Sequence, residues 1–120
     1  MERKTSAELR QIPLAPINPI RVTERAQSLA AAVLMAGDIA IDGTAGKGRD
    51  TAFLAQAVGP TGHVHSFDIQ PEAIASTGNL CELAGLSARV SLHHRSHAEI
   101  ATVLPAGHRG KVGAAIFNLG

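Results

Sequence analysis

The apolar positions of this chain switch repeatedly between a helical and an extended period. From 23 to 36, Ala26, Leu29, Ala30, Val33 and Leu34 recur at helical spacing, with Thr23 placed to cap the start and Gly37 to stop the run. Residues 38–42 read as a short apolar strand, and 49–58 as a helix whose apolar side is Phe53, Leu54 and Val58, closed by Gly59-Pro60-Thr61-Gly62. Residues 63–67 alternate as a second strand ending at Asp68. Pro71 fits the first turn of a helix that runs to Leu83 before Gly85, since a first-turn residue needs no N–H partner. A third strand is predicted over 89–93, and Ser96 caps a short helix through Val103. The apolar run 112–117 predicts a fourth strand, of the kind covered on both faces in a parallel sheet. Strand and helix alternate throughout, so the fold class is α/β with a parallel sheet. Pro13, Pro16 and Pro19 forbid a continuous helix upstream and predict an extended arm over 1–22, leaving 23–120 as one domain.

Composition narrows this picture in a few places. The 120 residues suffice for one core, and 45% hydrophobic with 18% charged residues is a globular composition. A net charge of +1 makes no electrostatic case for a nucleic-acid surface. Cys81 is the one cysteine, which excludes a disulfide or a cysteine-based zinc site within the chain and predicts a small buried apolar residue. No apolar run reaches the roughly 20 residues that span a bilayer. Met1-Glu2-Arg3-Lys4 is not followed by an apolar signal region, and the expectation is a cytoplasmic protein.

Chemistry concentrates between the first strand and the second helix, in Asp42-Gly43-Thr44-Ala45-Gly46-Lys47-Gly48-Arg49-Asp50-Thr51. Gly46 and Gly48 allow positive φ and a close approach of backbone to ligand. Asp68 follows Gly48 by 20 residues, where dinucleotide-type folds place a carboxylate on ribose hydroxyls. A phosphate-cradling P-loop would need Gly-Lys-Ser/Thr after a four-residue gap, but Lys47 lies between glycines. A dinucleotide loop would need a small third residue where Thr51 stands. The methyl-donor reading fits: Asp42 is the acid at the strand end, facing the cationic methionine end of S-adenosylmethionine, while Asp68 takes the ribose diol and Ile69 packs on adenine. Against this stand plainer roles, Asp42 capping the turn and Asp68 capping the helix at Pro71. Taken singly each plainer role is the better one, and the pair at successive strand ends favours the ligand.

The loop 42–51, the segment Phe67-Asp68-Ile69-Gln70, the pair Ser96-His97 and the ending Ala114-Ala115-Ile116-Phe117-Asn118-Leu119-Gly120 together resemble the class I methyltransferases of the rRNA methylase family, from about residue 23 to 120. Members of that group are associated with methylating the aminomethyl group of 5-aminomethyl-2-thiouridine at the tRNA wobble position. The resemblance implies a Rossmann-like class I methyltransferase sheet, here its N-terminal part of about four parallel strands with flanking helices. It implies S-adenosyl-L-methionine as cofactor, held by Asp42, Thr44, Gly46, Gly48, Asp50, Thr51, Asp68, Ile69, Ser96 and His97, and a tRNA or rRNA substrate. Family members usually carry Asn where Lys47 stands and His where Arg49 stands.

Methyl transfer is an in-line displacement and needs no metal, so alignment is the protein's main task. Asn118, at the carboxyl end of the fourth strand, is the candidate catalytic residue: its amide oxygen can accept an amine N–H and direct the lone pair. The plainer reading, an Asn closing a turn, weighs equally. His93, His94 and His97 lack the carboxylate or cysteine that would complete a metal spacing, and His93 and His94 read as a surface strand end. The resemblance implies the order 3-2-1-4 for these four strands, so the fourth is an edge that invites pairing, and a homodimer covering it is one expectation. Three accounts of the ending at Gly120 follow: a fragment, an obligate dimer, or a half-fold that keeps the donor site. The functional alternative to an RNA methyltransferase is a non-catalytic donor-binding remnant or interaction module.

Overall fold

A computed structural model describes residues 19–118. Helix α1 spans Pro19–Val33, followed by β1 (Ile39–Asp42), α2 (Arg49–Val58), β2 (His63–Asp68) and α3 (Pro71–Leu83). A 3-10 turn at Ser87–Arg89 leads into β3 (Val90–His94). A second such turn at His97–Glu99 runs into α4 (Ile100–Val103), then α5 (Ala106–Arg109) and β4 (Val112–Ile116). All strand pairs are parallel, in the order β3-β2-β1-β4.

Most predicted elements stand where the hydrophobic pattern put them, with two shifts in α1. The helix opens on Pro19 and already includes Thr23, so Thr23 is no N-cap and residues 19–22 are not extended. A proline needs no N–H partner in a first turn, which is why it begins the helix instead of excluding it. The arm predicted over 1–18 lies outside the described residues, as do Leu119 and Gly120. At the other end α1 stops at Val33, three residues early. There the Met35 N–H donates to the Asp38 carboxylate at 2.9 Å and the Asp38 N–H donates to the Met35 carbonyl at 3.0 Å, a local turn that competes with the helix.

Strand alternation sends side chains to two different covers. One face packs Ala40, Val64 and Ile116 against Ala30 of α1, Leu54, Ala55 and Val58 of α2, and Cys81 of α3. Fully burying an aliphatic side chain such as Leu54 or Val64 contributes about 1.5–3 kcal/mol each. Cys81 is a buried free cysteine, as its isolation in the sequence suggested. The opposite face holds Ile39, Ile41 and Phe67 against Leu104, with Ile100 and Val103 alongside.

β4 is a correction to the expectation of a strand covered on both faces. It has one neighbour, β1, and of its residues just Ile116 is buried. Between α1 and β4 an apolar groove of about 430 Å³ is left open, lined by Leu29, Ala30, Val33, Ala114 and Phe117 among others. No helix among the described residues is long and apolar enough to cross a membrane.

His93 also departs from its surface assignment. The register Phe67↔His93 brings it beside β2, where its ring stacks on Phe67 at 4.7 Å. His65 Nδ1 lies 3.0 Å from His93 Nε2, and His65 Nε2 lies 2.8 Å from His108 Nδ1 of α5, so three imidazoles form one hydrogen-bonded chain. His63 adjoins it and bonds Ser91 Oγ at 2.7 Å. The ring nitrogens pair with one another instead of converging, and no group among the described residues is arranged to hold a metal ion. His94, by contrast, is exposed, and its Nε2–H donates to the Ile69 carbonyl at 3.0 Å.

Burial lowers the His65 pKa from 6.5 to about 4, helped by repulsion from His63, His93 and His108; burial likewise lowers His63 and His93. The unfolded chain therefore binds more protons below pH 6.5. The neutral cluster's contribution to stability is complete above that pH and is lost as pH falls through about 4. Each proton taken up on unfolding changes the slope of stability with pH by about 1.4 kcal/mol per unit. Denaturant unfolding between pH 7.5 and 4.5 is expected to show His65→Phe with a flatter acid loss than wild type, by up to one proton. Groups outside the histidine cluster are common to both proteins and cancel, while His93 and His108, which lose a ring partner in the variant, belong to what the difference reads. An equal slope in the two would contradict this reading.

Candidate functional site

The site is built where the carboxyl ends of β1 and β2 meet the start of α2. Asp42, last residue of β1, is fully buried. Its Oδ1 accepts the Thr44 N–H at 3.1 Å and its Oδ2 accepts the Thr51 hydroxyl at 2.7 Å. Thr51 Oγ1 lies 2.6 Å from Ser66 Oγ of β2, so with Thr51 donating to Asp42, Ser66 donates to Thr51. Three elements are joined through one carboxylate. Ser66, fully buried, carried no sequence signal for this role.

The loop above is held by its neighbours. The Ala45 N–H donates to the Phe67 carbonyl at 2.8 Å and the Gly43 N–H to the Ile116 carbonyl at 2.8 Å. Gly48 sits at φ 91° at the start of α2, and a Cβ there would come 2.8 Å from the Thr77 Cα of α3. Thr77 in turn donates to the Gly46 carbonyl at 3.3 Å. Asp50 is nearly buried and accepts the Gln27 side-chain amide of α1 at 2.8 Å, a partner 23 residues away in sequence that no local pattern marks.

Asp68 ends β2 with each carboxylate oxygen engaged once: Oδ2 by the Gly46 N–H at 3.0 Å and Oδ1 by the Gln70 N–H at 2.9 Å. A carboxylate has about four lone-pair sites, so each oxygen keeps a further acceptor position for a ligand hydroxyl. Ile69, next in the chain, is 70% exposed, an apolar surface that a planar ligand would cover. On the far side Ser96 Oγ accepts the Ala98 N–H at 3.1 Å, the predicted cap. His97 then stands edge-on to Phe117 at 5.2 Å.

Two clefts adjoin across Thr44, Asp68 and Ile69. The larger, about 580 Å³, is lined by Gly46, Lys47, Arg49, Asp50 and Asn118 as well. The smaller, about 200 Å³, adds Gly43, Arg95, Ser96 and His97. Thr44, Gly46, Asp50, Asp68, Ile69, Ser96, His97 and Asn118 are thus brought to one place. Asp42, Gly48 and Thr51 line neither cleft; they lie beneath the loop and set its shape. Asn118 is anchored to that loop by its own N–H, which donates to Thr44 Oγ1 at 2.6 Å. Gly43 is needed for the same junction, since a Cβ there would overlap the Phe117 ring.

Burial pushes the Asp42 carboxyl up from 3.8 to about 6, against the hydrogen bonds from Thr51 and Thr44 that pull it down; the charges of Asp50 and Asp68 add to the rise. The folded pKa is raised, so this group's contribution to stability is complete below pH 3.8 and is lost as pH rises through about 6. Asp42→Asn keeps the shape and supplies an amide that can donate to Thr51. In thermal melts at pH 8 it is expected to exceed wild type by on the order of 1–3 kcal/mol, with the gap closing below pH 4. A variant less stable than wild type at pH 8 would show that ionised Asp42 is not a cost to the fold. Gly48→Ala meets both a left-handed φ and the Thr77 backbone, and urea unfolding is expected to show a loss of about 2 kcal/mol or more. Wild-type stability in that variant would mean α3 yields freely.

With the geometry in place, the chain can be set beside known proteins. The family model described as "Putative rRNA methylase" matches residues 64–120. The chloroplastic tRNA (mnm(5)s(2)U34)-methyltransferase of Arabidopsis thaliana is 34% identical over 108 residues, which is 83% of this chain and 39% of that protein. A solved structure of the same rRNA-methylase description from Clostridium thermocellum superposes with a TM-score of 0.76 at 34% identity, over 89% of this chain and 54% of that one. A Streptococcus mutans methyltransferase structure in complex with SAH gives 0.71 at 31% identity, over 88% and 54%. The chain spans about half the length of these relatives or less. Its four-stranded parallel sheet with flanking helices matches the Rossmann-like fold of these methyltransferase structures, and over residues 64–120 the chain matches the rRNA methylase family.

Proposed function

We propose that this chain forms the donor-binding part of an S-adenosylmethionine-dependent RNA methyltransferase, acting on the aminomethyl group of a tRNA wobble uridine. The single observation that carries the reading is the pair of clefts meeting at Asp68 and Ile69, with a polar carboxylate and an exposed apolar side chain side by side. Adenosine needs both: hydrogen-bond acceptors for the ribose diol and an apolar wall for the base. The smaller cleft, between Ile69 and Ser96-His97, suits adenine, and the free lone pairs of Asp68 suit the diol. The larger cleft, above the loop that Asp42 shapes, suits the methionine end. A cation there would also stabilise ionised Asp42, whose charge burial disfavours.

When bound, S-adenosylmethionine supplies an electrophilic methyl group. The chain's own residues have to hold donor and acceptor in line and keep the acceptor lone pair available. Asn118 opens onto the larger cleft at the end of β4, and its amide oxygen is the acceptor for a substrate N–H. Thr44 fixes its backbone, so acceptor geometry follows loop geometry. The tRNA assignment rests on the Arabidopsis relative's stated activity and 34% identity.

Calorimetric titration with S-adenosylhomocysteine is expected to give saturable heat for the intact chain. Asp68→Ala, which removes the diol acceptor and the anchor of Gly46, is expected to weaken binding by at least about tenfold, the scale of a lost charge-assisted hydrogen bond. Absence of heat with the wild-type chain overturns the donor reading. Transfer of labelled methyl to tRNA carrying the 5-aminomethyl group at its wobble uridine, and neither to unmodified tRNA nor to tRNA already carrying the methylaminomethyl group, checks the acceptor.

A further inference from the structure

Lys47 and Arg49 are the cations of the larger cleft. Both are exposed on the loop that leads into α2, both line the cleft wall, and among the described residues no hydrogen bond or ion pair engages either side chain. The nearby carboxylates are otherwise occupied. Asp42 is buried beneath the loop with Thr44 and Thr51, Asp50 is tied to Gln27, and Asp68 stands by Ile69 at the cleft junction, held by Gly46 and Gln70. Asp50, in the first turn of α2, and Asp68 line the same cleft as carboxylates, but their bonds go to Gln27, Gly46 and Gln70, and neither is paired with Lys47 or Arg49.

Two positive side chains are a poor match for a sulfonium or an ammonium. They match the remaining charged group of an amino-acid tail, its carboxylate. Arginine presents a planar fork that fits both oxygens of a carboxylate, and lysine a mobile point charge that can follow it. We propose that Lys47 and Arg49 form a carboxylate clamp at the loop end of the donor cleft, so that this chain selects nucleoside ligands bearing a free α-carboxylate. The clamp rests on the donor reading above and adds to it a discriminating contact. Asp68 and Ile69 recognise the adenosine, which many metabolites share; the clamp recognises the amino-acid tail, which few do.

The test compares two ligands that differ in that one group: S-adenosylmethionine and decarboxylated S-adenosylmethionine, which keeps the sulfonium and the amine. Calorimetry on the wild-type chain is expected to show at least about a tenfold preference for the carboxylate-bearing ligand, the scale of one charge-assisted contact. The preference should shrink as salt is raised, since both cations are exposed. The double variant Lys47→Gln, Arg49→Gln is expected to bring the two affinities together by lowering the first and leaving the second unchanged or tighter. Both side chains are solvent-exposed, and unchanged circular dichroism and melting confirm that the variant folds. If the wild-type chain binds the two ligands equally, or the double variant keeps the wild-type ratio, the clamp is overturned while the donor site stands. If the variant keeps that ratio and instead loses affinity for tRNA with a flatter salt dependence, the cations serve the RNA backbone and the clamp is equally overturned. No heat from either ligand on wild type overturns the donor reading, and the clamp with it.

Discussion

Everything at this site depends on a carboxylate that has been taken out of water. Asp42 is fully buried, yet both its oxygens are engaged, by Thr44 on the loop and by Thr51 on α2, with Ser66 of β2 behind Thr51. A buried acid without partners would cost several kcal/mol, whereas one hydrogen-bonded from two sides is tolerable near its shifted pKa. The bonds fix how β1, the loop and the first turn of α2 sit against β2. The positions of Gly46 relative to Asp68, and of Thr44 relative to Asn118, follow from that fixed frame. The fold accepts a destabilising charge where a cationic ligand would repay it.

The two sides of the sheet are stabilised by different chemistry, and the difference bears on the site. Against α1, α2 and α3 the sheet is aliphatic, with Leu54, Val58 and Val64 at its centre, and it supplies a rigid base for the loop. The other face is shorter of apolar cover. Beyond Ile39, Ile41 and Phe67 it relies on imidazoles, and His108 of α5 reaches His65 through a hydrogen bond instead of a packed aliphatic contact. That second cover carries Ser96 and His97 into the smaller cleft. One wall of the smaller cleft is therefore attached through groups that must stay neutral, and the glycine loop is attached through groups that need not.

The hydrophobic periods gave the boundaries of α2 and α3 in the sequence, because Gly48, Gly59, Pro71 and Gly85 punctuate them. The strand order was legible once the loop and its companion motifs pointed to a family. What stayed hidden was set by contacts between distant residues. Gln27 and Asp50 lie 23 positions apart, and nothing around Gln27 distinguishes it from any exposed helical glutamine. The alternation of His63 and His65 put them on one face, but the chain through His93 and His108 exists because of the β2–β3 register and the placement of α5. Four-residue α5 is too short for any periodicity to show. Most telling, Asp42 and Thr51 were read as ligand contacts from their motif, while the structure places them under the loop.

That relocation clarifies why the motif needs each of its residue types. A short side chain with two polar atoms at 42 is set by Thr44 and Thr51, and a hydroxyl at 51 by Asp42 and Ser66. Glycine at 48 is required by its positive φ and by Thr77, and glycine at 43 by the ring of Phe117. Few of the constraints are contacts with a ligand; most are the internal conditions for presenting Gly46, Asp68, Ile69 and Asn118 together. Lys47 and Arg49 alone escape them, since their side chains meet no partner among the described residues. In a loop where nearly every position is fixed by folding, these two are the ones free to be set by what the cleft binds.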